Sequence, residues 1–406
     1  MIKKVKIEDF NYPLPDGKIA LYPANQRDAS KLLVYKNNCI SDSYFNKISD
    51  FLPDNTALFY NDTKVVHARL IFYKETSARI ELFCLEPAES DNIAIELAKT
   101  RHVKWKCLIG NSRRWTSGQL TKTTNINGED VTVTAERISI LSDCSIISFS
   151  WNADISFAEV LEHLGKVPLP PYIHRESDNN DSTRYQTVFA EAEGSVAAPT
   201  AGLHFTPKLI SELNAKGIET TPLTLHVGAG TFKPVSSVFI NDHNMHAERI
   251  SVTVDTLEKL HDDIGNKFII PVGTTTCRTL ESLYWFGIML SKNPNLNGVL
   301  SLDQWYPYQE TTPQNINAKE SINTILKWLS DNNLTSFEGF TSLMITPFYK
   351  LRIPDAIITN FHQPKSTLLL LISAFVGENW HKIYEHALNN DYRFLSYGDS
   401  CLFFKI

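Results

Sequence analysis

Four histidines stand where polar chemistry concentrates in this sequence: His204, His226, His246 and His362. Imidazole exchanges protons near neutral pH; His362 and Lys365 could each transfer a proton or hold an anion, whereas His204 is ambiguous on the residues alone. Their neighbours are small or polar. GSVAAPTAGLHFT holds Thr200, Gly202 and His204; LTLHVGAGTF holds His226, Gly228, Gly230 and Thr231. VGTTTCRTLES supplies Thr274, Thr275, Arg278 and Glu281, and TNFHQPKS supplies Asn360, His362, Lys365 and Ser366. NMHAERI carries His246 and Glu248, RFLSYGDS carries Tyr397 and Asp399, and FYNDTKVVHAR carries Asn61, Asp62, Thr63 and Arg69.

Most of these stretches also have a plain structural reading. Threonines cap helices, GAG makes a hairpin or bulge, Asn-Asp-Thr makes an Asx turn, and His246 with Glu248 can be a surface pair. No P-loop, metal-ligand spacing or nucleophile elbow is present. Read alone, the residues predict a metal-independent polar pocket rich in His, Thr and Gly, with no reaction named.

The elements that would position these groups follow a recurring plan: an apolar strand, a loop of small and polar residues, then a helix. Phe268–Val272 reads as a strand, Gly273–Thr276 as a tight loop and Arg278 onward as a helix. Ala356–Ile358 ends another strand, and Thr367–Phe375 is its buried helix. Thr206 is an N-cap, Pro207 a first helical residue and Gly217 a helix stop. His246 and Glu248, two apart on a strand, would share one side. In open α/β sheets ligands gather beyond the carboxyl ends of strands, so these loops predict one composite pocket.

Residues 66–153 read differently, as strands only. Arg79–Leu85, Val103–Ile109, Val131–Glu136 and Ile146–Trp151 are strand-like, and Asn127-Gly128 is a turn signal. A helix runs from a Ser156 cap to Gly165. The expected fold class is α/β: a large mixed α/β domain of residues 1–65 plus 154–406, with a small barrel-like all-β domain inserted at 66–153. The polar run His174–Arg184 reads as a mobile surface loop. Residues 291–317 read as an Asn-, Pro- and aromatic-rich loop before a helix Lys319–Leu329.

Composition agrees with a globular chain of about two domains. It has 406 residues, 43% apolar and 21% charged, with a formal net charge of −6. That balance excludes a wholly basic nucleic-acid binder but not a local basic groove. The six cysteines are scattered without metal spacing, which reads as reduced thiols, mostly small buried apolar groups. The longest apolar run, Leu368–Val376, is too short to span a bilayer. The expectation is a soluble, cytoplasmic protein.

These motifs resemble one family throughout. So do the opening FNYPLPDGKIALYPANQRDASKLLV and the PLPPYIHR…RYQTVFA segment. The chain is similar, in order and over nearly its whole length, to the S-adenosylmethionine:tRNA ribosyltransferase-isomerase family of queuosine biosynthesis. The resemblance implies an enzyme using S-adenosylmethionine as ribosyl donor and co-substrate. It would transfer and isomerise the ribosyl unit onto 7-aminomethyl-7-deazaguanine in a tRNA anticodon, giving epoxyqueuosine and releasing adenine and methionine. It implies a monomer without a metal. The residues above become its catalytic and substrate-binding candidates, without individual roles. RNA binding would fall to Lys104, Lys106, Arg113 and Arg114, with Trp105 and Trp115 as stacking surfaces or as ordinary core. The barrel segment reads IGNSRRWTSG, Gln363 replaces the family's usual Leu, and the Trp285–Phe340 stretch is long. The alternatives are a paralogue acting on another acceptor, and a non-catalytic RNA-binding protein.

Overall fold

The computed structural model describes residues 4–90, 92–126, 128–228, 235 and 237–406. Its backbone is a ten-stranded sheet. In chain order the strands are β1 (Lys31–Lys36), β2 (Cys39–Tyr44), β3 (Thr56–Asn61), β4 (Glu219–His226) and β5 (Glu248–Thr253), followed by β6 (Phe268–Val272), β7 (Leu300–Leu302), β8 (Ser336–Thr341), β9 (Ala356–Asn360) and β10 (Ser400–Phe404). Across the sheet they lie β7-β8-β5-β4-β3-β6-β9-β10-β1-β2. The central strands β4, β3, β6 and β9 are parallel. Helices cover both faces of such a sheet, which explains the near-continuous apolar runs in β3, β6 and β9. β10 closes the gap between β9 and β1, antiparallel to the first and parallel to the second.

A second sheet has seven antiparallel strands: Arg69–Tyr73, Arg79–Pro87, His102–Gly110, Gln119–Ile126, Glu129–Ile140, Ser145–Trp151 and Gly165–Lys166. It encloses its own apolar core, with Trp105, Trp115, Phe149 and Phe157 buried there. The helix Phe157–Leu164 lies against this core. Its start is fixed reciprocally, Ser156 accepting from the Glu159 amide and Glu159 accepting from the Ser156 amide. At its end Gly165 is required by space, since a Cβ there would stand 1.9 Å from the His67 carbonyl oxygen.

Four local expectations need correction. A short helix, Ile93–Ala98, interrupts the stretch expected to be strands only, because the Asn92 side chain caps it by accepting from the Ile95 amide. The segment His174–Arg184 is held down. Arg175 forks onto the Asp181 carboxylate at 2.6 and 2.9 Å, and Tyr397 donates to the same carboxylate at 2.7 Å. The helix after β6 begins at Thr274, so its threonines form the first turn. Gly273 makes that tight entry possible with φ of +96°. The stretch before the helix Ala318–Asp331 contains β7 and packs Trp305, Tyr306 and Tyr308 against the core. The expected turn at Asn127-Gly128 includes Asn127, which lies outside the described residues. Cys84, Cys107, Cys277 and Cys401 are buried, whereas Cys39 is exposed.

Candidate active site

β6 and β9 end side by side, and beyond their carboxyl ends lies a cleft of about 880 Å³, mouth included. Small residues Ala197–Ala201 form one wall, and Tyr172 and Ser396, hydrogen-bonded at 2.6 Å, form another. Thr274 and Thr275 line a third side, at the start of the 19-residue helix Thr274–Lys292. No side chain caps that helix, so its first amides and its partial positive charge favour an anion there. A second helix, Thr367–Val376, also begins at the cleft, but Ser366 caps it by accepting from the Leu369 amide at 3.3 Å.

Asn360 ends β9 and is buried in the cleft wall. Its Nδ2 donates to the Leu395 carbonyl at 3.2 Å and lies 3.1 Å from His204 Nε2. Its Oδ1 is buried and has no hydrogen-bond partner among the described residues. An unmatched buried acceptor is costly, so this oxygen is suited to an N–H or O–H of a bound molecule. His204 meets Ser30 Oγ at 2.8 Å through Nδ1. Burial, then the neighbouring Arg393 charge, lowers His204 to about 3. His362 also lines the cleft. Its Nε2 meets Thr359 Oγ1 at 3.0 Å, its amide donates to Tyr384 Oη at 3.1 Å, and burial lowers it to about 3. Both rings are therefore neutral near pH 7.

A second pocket, of about 580 Å³, meets the cleft at Val227 and holds His226, Gly228, Glu248 and residues of the second sheet. His226 ends β4, its Nδ1 has no partner among the described residues, and burial, followed by the Arg249 charge, lowers it to about 4. Glu248 and Arg278 form a buried ion pair beside it. Burial lowers the Arg278 guanidinium to about 10.

The cleft thus gathers Thr200, Thr274, Thr275, Asn360, His362 and Ser366. Other sequence candidates are placed elsewhere. Asn61 pins β3 to β4, its side chain donating to the Leu225 carbonyl at 2.9 Å and accepting the Leu225 amide at 3.1 Å. Asp62 accepts from Thr224 at 2.8 Å, and burial raises its pKa. Thr63 is buried with an unpartnered hydroxyl. Arg69 pairs with Glu81 at 2.9 Å and donates to the Leu169 carbonyl. Gly202 faces Thr187, whose methyl would lie 2.9 Å from an added Cβ, which is a packing role. Glu281 accepts the amides of Arg352 and Ile353 at 2.8 and 2.9 Å and the Tyr349 hydroxyl. Lys365 pairs with Glu8 at 2.6 Å. Asp399 accepts the amides of Lys31 and Arg393 at 2.9 and 2.7 Å, and burial raises its pKa. His246 does not share a strand face with Glu248, because β5 begins at Glu248; His246 precedes it and is exposed. Gly230 and Thr231 lie outside the described residues.

Among the proposed RNA contacts, Arg113 and Arg114 are exposed, Lys104 pairs with Glu89 at 2.7 Å, and Lys106 pairs with Glu86 at 2.7 Å. Trp105 and Trp115 are core residues, not stacking surfaces. Sequence reasoning missed Tyr172, Thr359 and Ser396, although Ser396 directly precedes the selected Tyr397. Among the described residues, no helix is long and apolar enough to cross a membrane.

Comparison with known proteins gives concordant matches. A family described as queuosine biosynthesis protein matches residues 7–403. A protein of Trichlorobacter lovleyi named S-adenosylmethionine:tRNA ribosyltransferase-isomerase is 36% identical over 404 residues, covering 98% of this chain and 99% of the relative. One of the same name from a Sulfurihydrogenibium species is 39% identical over 403 residues, again covering 98% and 99%. A crystal structure of the S-adenosylmethionine tRNA ribosyltransferase of Thermotoga maritima matches 97% of this chain and 99% of its own, with 26% identity and a TM-score of 0.45.

Proposed function

The chain belongs to the S-adenosylmethionine:tRNA ribosyltransferase-isomerase family of queuosine biosynthesis, and we propose that the cleft beyond β6 and β9 is where its donor is bound and opened. It is an enzyme that transfers and isomerises the ribosyl moiety of S-adenosylmethionine onto a tRNA base. The full-length identity to two relatives of that name carries this conclusion. The acceptor base is 7-aminomethyl-7-deazaguanine and the product epoxyqueuosine, with adenine and methionine released. We also take residues 66–153 as a β domain inserted into an α/β domain of 1–65 and 154–406; the separate apolar cores support two units, although the β core and its sheet also take in the helix Phe157–Leu164 and the strand Gly165–Lys166.

The reaction needs a base for a carbon acid beside the positive sulfur, a partner for departing adenine and a firm hold on the methionine end. The uncapped start of the Thr274–Lys292 helix suits the methionine carboxylate. Asn360 Oδ1 suits an amino or hydroxyl hydrogen of the adenosine part. His362, a neutral imidazole in the cleft wall, is assigned the proton-accepting role. His204 is assigned a positioning role through Asn360.

Mass spectrometry of one reaction tests the function. It contains the protein, S-adenosylmethionine and an anticodon stem-loop carrying 7-aminomethyl-7-deazaguanine. Free adenine together with an epoxycyclopentane adduct on the RNA is the expected result. Donor binding with no adduct would turn the search to another acceptor.

A further inference from the structure

Three arginines from distant parts of the chain meet beside the cleft. Arg27, Arg184 and Arg393 line a pocket of about 290 Å³, which shares Ser396 with the donor cleft and reaches His204. Arg27 donates to the Thr183 and Leu203 carbonyls at 2.7 and 3.2 Å. Arg184 donates to the Ala24 and Asn25 carbonyls at 2.5 and 3.2 Å, and its buried Nε has no partner among the described residues. Arg393 reaches the Tyr22 carbonyl at 3.4 Å and lies 3.8 Å from Asp399, a carboxylate already held by two backbone amides.

Carbonyls orient these guanidinium groups without neutralising them. The only carboxylate paired with any of the three among the described residues is Asp399. The charges are felt locally: burial lowers Arg27 and the Arg184 charge adds to it, and burial lowers His204 with the Arg393 charge adding to it. Converging cations held in fixed geometry, with unused N–H donors, form a site for a tetrahedral or forked anion. The basic residues of the second sheet contrast with this, since Lys104 and Lys106 already face carboxylates.

We propose that the Arg27–Arg184–Arg393 pocket binds a backbone phosphate of the RNA acceptor next to the modified nucleotide, fixing the RNA against the donor cleft. The proposal rests on the family reading for the presence of an RNA acceptor. A phosphate contact positions the strand without reading its sequence. It is also close enough to the cleft, through the shared Ser396 wall, to set the register of the target base.

The test uses the full chain and three probes: an anticodon stem-loop, S-adenosylmethionine and inorganic phosphate. R393Q is the principal variant, because Arg393 makes the fewest carbonyl contacts; R184Q is the second, and R184K keeps the charge. Melting temperatures confirm folding. R393Q is expected to weaken stem-loop binding about tenfold, on the order of one charge-assisted hydrogen bond. The slope of log affinity against log salt should become shallower by about 0.7–0.9 per lost phosphate contact. Donor affinity by calorimetry stays unchanged, and R184K keeps more of the slope than R184Q. Unchanged RNA affinity and slope in both glutamine variants overturns the proposal. Lost donor affinity with intact RNA binding also overturns it, assigning the pocket to the methionine carboxylate. If the wild type binds no stem-loop, the family reading fails. The anion site then survives only if phosphate raises the wild-type melting temperature and R393Q abolishes the rise.

Discussion

Asn360 and His204 fix each other's chemistry. The Leu395 carbonyl can only accept, so the Asn360 atom facing it at 3.2 Å is the donating Nδ2. The same Nδ2 lies 3.1 Å from His204 Nε2, which must therefore be the bare nitrogen. The ring proton then sits on Nδ1 and is donated to Ser30 Oγ at 2.8 Å. His204 is thus a neutral ring that aims the Asn360 oxygen at the cleft.

This arrangement separates two variants. N360A should lower kcat/KM by roughly tenfold to a hundredfold, the cost of one hydrogen bond strengthened by charge or burial. H204Q should lower it less and leave the acid limb of the kcat/KM pH profile where it is in the wild type. Loss of that limb in H204Q would show that His204 itself titrates, against the tautomer deduced here.

Acid should destabilise the fold through its buried imidazoles. His204 and His362 are lowered to about 3 and His226 to about 4, chiefly by burial. The unfolded chain binds those protons below its ordinary histidine pKa of about 6.5, while the folded chain does not. Their contribution is therefore fully present above about pH 6.5 and declines as pH falls toward 4, by about 1 kcal/mol per pH unit per histidine. The melting temperature should drop between pH 7 and pH 5, and H362Q should lose less than the wild type over that interval. Equal losses would contradict the burial of a neutral His362.

Glu281 should behave as a structural anchor. E281A strands two backbone amides and a tyrosine hydroxyl that the carboxylate now accepts. The expected loss is about 3 kcal/mol by denaturant unfolding. The KM for S-adenosylmethionine should stay near the wild-type value. A large rise in KM with unchanged stability would restore Glu281 as a substrate contact.

The Arg278–Glu248 pair gives a double-mutant prediction. R278M removes the Arg278 cation from the buried Glu248 carboxylate and should cost about 3–5 kcal/mol. R278M/E248L removes both charges and should recover most of that loss. No recovery of stability in R278M/E248L relative to R278M would overturn the prediction.

Much of the local structure is legible in the sequence because short-range rules decide it. Thr206 and Pro207 start their helix as N-cap and first residue, and Ser156 caps its helix. β6 and β9 are visible as apolar runs. The site is less legible, because its contacts span the chain: Ser30 to His204 is 174 residues and His204 to Asn360 is 156. Trp105 could be read as a stacking surface or as core, and alternation along its strand decides for the core, turning it inward between Lys104 and Lys106. Asn61 looked like a ligand contact for lack of any signal that β4 would lie beside it.

The placement of β10 has a consequence for how the chain folds as it is made. β1 and β2 form a hairpin that, among the described residues, pairs with the rest of the large sheet only through β10. In sequence order, β10 is synthesised after the other nine strands. Until it emerges, β9 and β1 each expose an unpaired edge, and the hairpin has no strand of the large sheet to pair with. The final strand is thus a late-arriving keystone, and a nascent chain stalled before Ser400 presents two open edges to other chains.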